Sequence, residues 1–143
     1  MGIEHNKVVA HRFFEDAYNT GNVALLEELL TPTYVDHKAP PGTPPGPAGI
    51  AQVIMMFRKA FPDLHFTIED QVAEDDQVAT RYTFRGTQQG ELMGIAPTGK
   101  QVSIGGISIY RFTDGKMQQA WIEYDMLGLL QQLGVVPLPD QTA

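Results

Sequence analysis

The stretch AWIEYDMLGLLQQLG, residues 120–134, carries the side chains whose types and spacing best suit proton transfer. Trp121, Glu123 and Asp125 alternate as one face of a β-strand, and from Asp125 onwards leucines recur three apart, as in a helix. A carboxylate at this junction suits two roles. Asp125 could act as an acid or base at the mouth of a pocket, or it could cap the helix by accepting a backbone N–H hydrogen bond. The cap fits the neighbouring sequence better.

Two other side chains suit a proton-transfer or charge-stabilising role. His37 ends the extended segment TYVDH, and the ordinary pKa of histidine, near neutrality, suits a general base. Its alternative role is that of a loop histidine bonded to the backbone. Tyr34, three residues earlier, is expected to share its environment. Arg81 would anchor a carboxylate or enolate oxygen, or else pair with Asp or Glu across strands on a solvated face.

The composition excludes several classes of function. The chain has no cysteine, which excludes disulfide and thiol chemistry and is typical of a cytoplasmic protein. Its four histidines lack metal-ligand spacing, so we expect no metal site. A net charge of −7 repels phosphate, so nucleic acid is not an expected partner. No apolar run is long enough to span a membrane, and we expect no membrane partner.

The elements that must position these residues are helices first and strands afterwards. Apolar residues at helical spacing alternate with turn signals up to residue 61, and period-two alternation of β-branched and aromatic residues follows. Asn22 is expected to cap the second helix. Helices are predicted over residues 4–19, 23–30, 49–61 and 126–134, and strands over residues 33–37, 64–72, 77–86, 101–112 and 117–125.

This order of elements predicts one α+β domain over residues 1–143, in which a meandering antiparallel sheet wraps around the N-terminal helices. Such an arrangement leaves a cavity between the helices and the sheet, where small ligands bind. The five prolines between Pro40 and Pro47 indicate a constrained surface loop. Gly105 and Gly106, inside a strand, predict a strong bend or a bulge.

Four segments, FPDLHF, GTQQGELMGIAPTGK, IYRFTDGKMQQAW and DMLGLLQQLG, occur in this order within a stretch from Phe13 to Gly134. Together they resemble the SnoaL-like polyketide cyclase (ester cyclase) family. The resemblance implies the NTF2-like cone, a fold shared with ketosteroid isomerase and limonene-epoxide hydrolase. It also implies ring closure on a polyketide ester by intramolecular aldol condensation, without cofactor or metal. In the family a carboxylate serves as general acid and base in a mostly apolar cavity.

At two positions the sequence departs from the family pattern. The register is anchored by Asp114–Lys116 on one side and Gln132–Gly134 on the other. With no gap between them, the family's acid/base aspartate falls on Ile122 and its assisting histidine falls on Ser108. Neither side chain transfers protons at neutral pH. A one-residue slip would place Glu123 at the aspartate position, but it requires a bulge.

The same register turns Ala120, Ile122 and Tyr124 towards the cavity, so Tyr124 becomes a candidate hydrogen-bond donor. The predicted catalytic residues are His37, Asp125, Tyr124, Arg81 and Glu123. The predicted pocket-lining residues are Tyr34, Phe13, Phe57, Met93, Ser108, Tyr110, Ile122 and Trp121, although packing at a subunit interface suits Trp121 better than ligand stacking.

Three kinds of function remain open. The resemblance favours an enzyme that needs no cofactor, a cyclase or isomerase acting on an apolar carbonyl compound. A hydrolase of the epoxide-hydrolase type is disfavoured because no Arg-x-Asp motif accompanies Arg81. A non-catalytic ligand-binding protein is favoured by Ile122 and Ser108. The third is an assembly module that dimerises through the outer face of the sheet. In each case we expect a homodimer or higher homo-oligomer, and for the first two an apolar small-molecule ligand.

Overall fold

Helices and strands follow one another in the predicted order, and the α+β class is confirmed. The computed structural model describes residues 2–137, so Met1 and residues 138–143 of the predicted domain lie outside the described residues. The helices are α1 (Ile3–Arg12), α2 (Leu26–Leu29), α3 (Gly46–Ala60) and α4 (Met126–Gln132). The strands are β1 (Leu30–Asp36), β2 (His65–Glu74), β3 (Gln77–Thr87), β4 (Gln101–Thr113) and β5 (Lys116–Tyr124).

The five strands form one sheet in the order β1-β5-β4-β3-β2. The last four strands of the chain are an antiparallel meander, as their turn-separated alternation predicts. β1 adds to the edge of β5 in parallel orientation, with Asp36 opposite Ala120. Pro32 is tolerated within β1 because the strand lies at an edge and its register is irregular between Leu30 and Val35.

The predicted N-terminal helices differ from the observed ones in two respects. The first helix changes at Phe13 into a π-helical segment, Phe13–Tyr18. The predicted second helix is a 3₁₀ turn, Val23–Leu25, followed by the single turn of α2. The expectation that Asn22 caps this helix is wrong, because its side chain makes no capping hydrogen bond.

The side chain of Asn19 fixes the end of the π-helical segment to the sheet. Its Nδ2 donates to the carbonyl oxygen of Phe66 at 3.0 Å, and its Oδ1 accepts from the Phe66 backbone N–H at 2.7 Å. The guanidinium of Arg58 on α3 donates to the carbonyl oxygens of Tyr18 and Asn19. Arg58 thus satisfies carbonyl groups that the end of the segment leaves free. Through Arg58 and Asn19, the end of the segment is bonded to both α3 and β2.

The sequence predicts a strong bend or a bulge at Gly105 and Gly106, and the bulge is not found there. The pairing of β3 with β4 runs without a register shift past both glycines, and Gly106 lies opposite Tyr82. A Cβ on Gly106 would lie 2.6 Å from the Tyr82 hydroxyl oxygen, so glycine is required because the Tyr82 ring packs over this strand. The register shifts fall elsewhere, at Ile68/Asp70 and Arg111/Phe112.

The buried side chains form a contiguous cluster between the helices and the inner face of the sheet. On β3 the buried Val78, Thr80, Tyr82 and Phe84 alternate with more exposed residues, since successive strand residues face opposite sides. Among residues 2–137, none of the helices has both the length and the apolar character needed to cross a membrane.

Candidate functional site

A cavity of about 500 Å³ lies between the helices and the inner face of the sheet. Its volume falls within the range of roughly 300–1,000 Å³ that is usual for small-molecule sites. Its wall is mostly apolar and rich in aromatic rings. Among the described residues, nine aromatic side chains line it: Phe13, Phe14, Tyr18, Phe57, Phe66, Tyr82, Phe84, Tyr110 and Tyr124.

The π-helical segment brings three of these rings into the cavity. The backbone N–H of Asn19 donates to the carbonyl oxygen of Phe14 at 2.9 Å, which is the i to i+5 bond of a π-helix. Phe13, Phe14 and Tyr18 all line the cavity from this segment. Phe13 contacts Tyr110 edge-on, with ring centroids 5.7 Å apart. π-Helical turns are frequent at functional sites.

The inner faces of β4 and β5 supply the opposite wall. Ser108 and Ile122 are directly paired across the two strands, and both line the cavity. Tyr110 and Tyr124 lie two residues further along the same faces and line it as well. The two positions to which the sequence resemblance assigns the family's proton-transferring pair are therefore adjacent. They carry a hydroxyl and an alkyl side chain.

Two hydroxyls of this wall are buried. Ser108 Oγ and Tyr110 Oη make no hydrogen bond of good geometry within the described part of the chain, and both residues are at most 1% exposed. Burial raises the pKa of Tyr82 and of Tyr110, and the Ser108 hydroxyl is nevertheless close enough to both tyrosine hydroxyls to lower each pKa by a smaller amount. A buried hydroxyl without a hydrogen bond destabilises the folded state, so such groups are usually bonded. Both residues line the cavity.

Asp36, which our sequence analysis did not select, is the one carboxylate among the described residues that line the cavity. It is the last residue of β1 and is partly buried. Burial raises the pKa of this carboxyl, because a charge is poorly solvated there, and hydrogen bonds from the backbone N–H groups of Lys38 and Ala39 partly oppose the increase. The Lys38 N–H donates to Asp36 Oδ1 at 2.7 Å.

The carboxylate of Asp36 also acts electrostatically on the cavity's tyrosines. Burial is the main cause that raises the pKa of Tyr18, Tyr82 and Tyr124, and the negative charge of Asp36 raises each further. These hydroxyls therefore stay protonated at neutral pH and can donate hydrogen bonds. One carboxylate and several neutral donors share the cavity.

His37 and Trp121 lie outside the cavity. Their rings stack on the outer side of the sheet, with centroids 5.1 Å apart and an interplanar angle of 20°. His37 Nε2 lies 3.0 Å from Gln119 Oε1. The prediction that Trp121 lines the pocket is therefore wrong. Trp121 precedes Ile122 in β5, so its side chain lies on the other face of the sheet.

Tyr34 does not share the environment of His37, and that expectation is wrong. Residues three apart in a strand face opposite sides of the sheet, so Tyr34 points inward when His37 points outward. Tyr34 is 1% exposed and lines a second, smaller cavity of about 100 Å³, which Asp36 also borders. Tyr34 and Asp36 alternate along the chain with Val35 and His37, so they share one face of the strand. This alternation is the sequence signal by which Asp36 could have been identified as a cavity residue.

The remaining predicted catalytic acids and the arginine lie outside the cavity lining. Asp125 Oδ1 accepts from the Gly128 backbone N–H at 2.8 Å and so caps α4. Arg81 is exposed on the outer face of β3, where its Nε lies 3.0 Å from Asp70 Oδ1. Glu123 is exposed as well, with Oε2 3.7 Å from the Nζ of Lys38.

Lys38, also not selected from the sequence, lines the cavity beside Tyr124. Its ammonium lies 5.5 Å from the centroid of the Tyr124 ring.

Of the predicted pocket-lining residues, the structure brings six to the cavity and places Tyr34 and Trp121 elsewhere. The six are Phe13, Phe57, Met93, Ser108, Tyr110 and Ile122, and of the predicted catalytic residues Tyr124 joins them.

Known proteins resemble this chain in sequence. A family model for SnoaL-like polyketide cyclases matches residues 8–133. The aklanonic acid methyl ester cyclase AcmA of Streptomyces galilaeus is 31% identical over 137 residues, which cover 90% of each chain. The nogalonic acid methyl ester cyclase of Streptomyces nogalater is 29% identical over 126 residues, covering 87% of this chain and 93% of that protein.

A solved structure shows the same architecture. TsrD from Streptomyces laurentii superposes with a TM-score of 0.88 at 33% identity, covering 95% of this chain and 99% of TsrD. The predicted NTF2-like cone is confirmed.

Proposed function

The chain belongs to the SnoaL-like polyketide cyclase family, and we propose that it is a cofactor-independent enzyme that cyclises or isomerises an apolar, polyketide-like carbonyl compound. One observation carries the proposal: an apolar cavity of about 500 Å³ contains a carboxylate of raised pKa together with tyrosine hydroxyls. Removing a proton next to a carbonyl requires such a base, and the enolate oxygen that forms requires nearby donors.

The wall of the cavity indicates the substrate class. A charged substrate carboxylate would be poorly solvated among the aromatic rings, whereas an ester carries no charge. The relatives AcmA and the nogalonic acid cyclase are named for methyl esters of aklanonic and nogalonic acid. We therefore propose a methyl ester of a polyketide acid, with a ketone and an acidic C–H group, as the substrate.

A second candidate function is ligand binding without turnover. The sequence register assigns Ile122 and Ser108, which are paired across β4 and β5, to the positions of the family's proton-transferring pair, and neither transfers protons at neutral pH. A binding protein requires only a cavity with a few polar groups, whereas an enzyme also requires a titratable side chain inside it. Asp36 meets that requirement. An epoxide-hydrolase mechanism has less support, because Arg81 is ion-paired with Asp70 on the outer face.

The proposal is tested by incubating the purified chain with aklanonic and nogalonic acid methyl esters and separating the products by liquid chromatography with mass detection. We expect a product of unchanged mass and altered retention, as an aldol ring closure requires. Ile122→Trp, which fills the cavity, should abolish its formation. Binding of either ester without product would favour the binding protein, and the absence of both would reject the proposed substrate class.

We also propose that the protein forms a homodimer through the outer face of the sheet. Ile107, Ile109 and Trp121 lie on that face and are 38–48% exposed. Ile109 and Trp121 are directly paired across β4 and β5, so their side chains form a contiguous apolar surface.

A further inference from the structure

The adjacent positions Ser108 and Ile122 leave the β4–β5 wall without a group that exchanges protons at neutral pH. A cyclase acting in this cavity therefore requires a base from another element. Among the described residues that line the cavity, the acidic and basic side chains are those of Asp36 and Lys38. A protonated lysine does not accept a proton, and this leaves Asp36.

We propose that Asp36 is the general base of the reaction, and that the chain supplies it from the end of β1 in place of the β5 aspartate of related cyclases. This inference rests on the proposed function, since it assigns the proton transfer in the same cavity.

The strand register brings Asp36 to the correct wall. β1 runs parallel to β5, and Asp36 is paired with Ala120. Ala120 shares the inner face of β5 with Ile122, two residues away. A carboxylate on β1 therefore reaches the same region of the cavity as a carboxylate at position 122 would, from the neighbouring strand.

The carboxylate of Asp36 accepts hydrogen bonds from the backbone and is not neutralised by a cationic side chain within the described residues. Oδ1 accepts from the Lys38 backbone N–H at 2.7 Å, which fixes the orientation of the carboxylate. Within residues 2–137, Oδ2 is engaged in no side-chain hydrogen bond and no ion pair. By contrast, Asp125 caps a helix, and Asp70 and Glu123 face cations on the exposed surface.

The surroundings of Asp36 suit a proton acceptor. Burial raises the pKa of its carboxyl and so strengthens it as a proton acceptor. The hydroxyls of Tyr82 and Tyr124, whose pKa burial raises, stay protonated at neutral pH and can donate to a developing oxyanion. The acceptor and these donors line the same cavity, as enolate formation requires.

The reaction balances without a co-reactant. Asp36 removes a proton from the carbon next to the ester carbonyl, and the C–H electron pair forms the enolate. The enolate carbon attacks the ketone carbon of the same molecule and forms a C–C bond, while the ketone π electrons move to its oxygen. The protonated Asp36 then returns its proton to that alkoxide, which regenerates the carboxylate.

The test separates proton removal from ring closure by using two reactions. The first is deuterium exchange in D₂O at the acidic C–H of a small β-keto ester, methyl 2-oxocyclohexanecarboxylate, followed by proton NMR with the buffer rate subtracted. It requires a base in the cavity but no ring closure. The second is the cyclisation of aklanonic acid methyl ester.

We expect Asp36→Asn to lower both protein-catalysed rates by roughly 10²–10⁴-fold, the usual contribution of a general base. Asparagine keeps the Oδ1 acceptor for the Lys38 N–H, so folding is expected to be preserved, and circular dichroism checks it. Asp114→Asn is the matched control. Asp114 lies in the exposed β4–β5 turn at φ 52°, a conformation that asparagine adopts readily, so both rates should be unchanged.

The two reactions fail in different ways. In one outcome, the native chain catalyses exchange and forms no ring, and Asp36→Asn abolishes the exchange. Asp36 is then the base, and the proposed cyclisation is wrong. If the ring forms at a similar rate with and without the Asp36 carboxylate, the cyclase function stands and this inference is overturned. An absence of protein-catalysed exchange in the native chain also overturns it.

Discussion

At the scale of single residues, the neighbours Asp36 and His37 show how one position along a strand decides the chemistry available to a side chain. The carboxylate faces the cavity and the imidazole stacks on Trp121 outside. Histidine is the more common general base near neutral pH, but a base must reach the proton that it removes. Position therefore outweighs residue type here.

The raised pKa of Asp36 implies that the free energy of unfolding depends on pH. The folded chain binds this proton more tightly than the unfolded chain does, so the contribution of Asp36 to the free energy of unfolding falls as the pH rises from the ordinary value of 3.8 through the raised one. Asp36→Asn removes this titration. Its stability relative to the native chain should therefore increase as the pH rises above the ordinary pKa of 3.8, as measured by urea unfolding. A constant difference would show that the pKa of Asp36 is not raised.

The unpartnered hydroxyl of Tyr110 gives a second prediction at this scale. Tyr110→Phe removes a buried polar group without a hydrogen bond and should stabilise the fold by about 1 kcal/mol in urea unfolding. The same change should slow cyclisation if the hydroxyl donates to the substrate. A less stable Tyr110→Phe would mean that the hydroxyl is already bonded in the free protein.

At the scale of elements, the short helix α4 depends on its cap. Asp125 is its N-cap, and Met126 and Leu129 from this helix line the cavity. The cap therefore holds part of the cavity wall as well as the helix.

Two substitutions at Asp125 separate capping from catalysis. Asp125→Ala should lower the free energy of unfolding by about 1 kcal/mol, whereas Asp125→Asn, which still caps, should keep both stability and turnover. Urea unfolding and the cyclisation assay measure the two effects. Loss of turnover with unchanged stability in Asp125→Asn would transfer the proton-transfer role from Asp36 to Asp125.

At the scale of the whole molecule, the sheet has two different faces. The inner face lines the cavity, and the outer face of β4 and β5 exposes Ile107, Ile109 and Trp121. Burying an apolar surface of this kind against a second copy would remove it from water.

We expect sedimentation velocity to give a dimer, and Ile109→Lys to give a monomer because it places a charge at the centre of the contact. The paired residue Trp121 lies on the same face, so Trp121→Lys should act likewise. Gln52→Lys, at an exposed position of α3 on the other side of the sheet, controls for added charge. A native chain that sediments as a monomer would reject the dimer.

The sequence by itself determined the α+β class, the antiparallel meander and the faces of β4 and β5. Strand alternation, a local property with a period of two, grouped Ile122 with Tyr124 and separated them from Trp121 and Glu123. The expectation that Ile122 and Tyr124 face the cavity came from the register of the family resemblance. The cap at Asp125 was equally readable, since a helix start depends on a few consecutive residues.

Only the tertiary structure decided the π-helical turn at Phe13–Tyr18, the extent of β1 and the position of Asp36 in the cavity. β1 begins at Leu30, despite Pro32, because β5 offers a free edge for it to pair with, and that pairing joins segments more than 80 residues apart. Burial of Asp36 follows from the same pairing. A side chain's depth is fixed by what packs against it from distant parts of the chain, which no local pattern records.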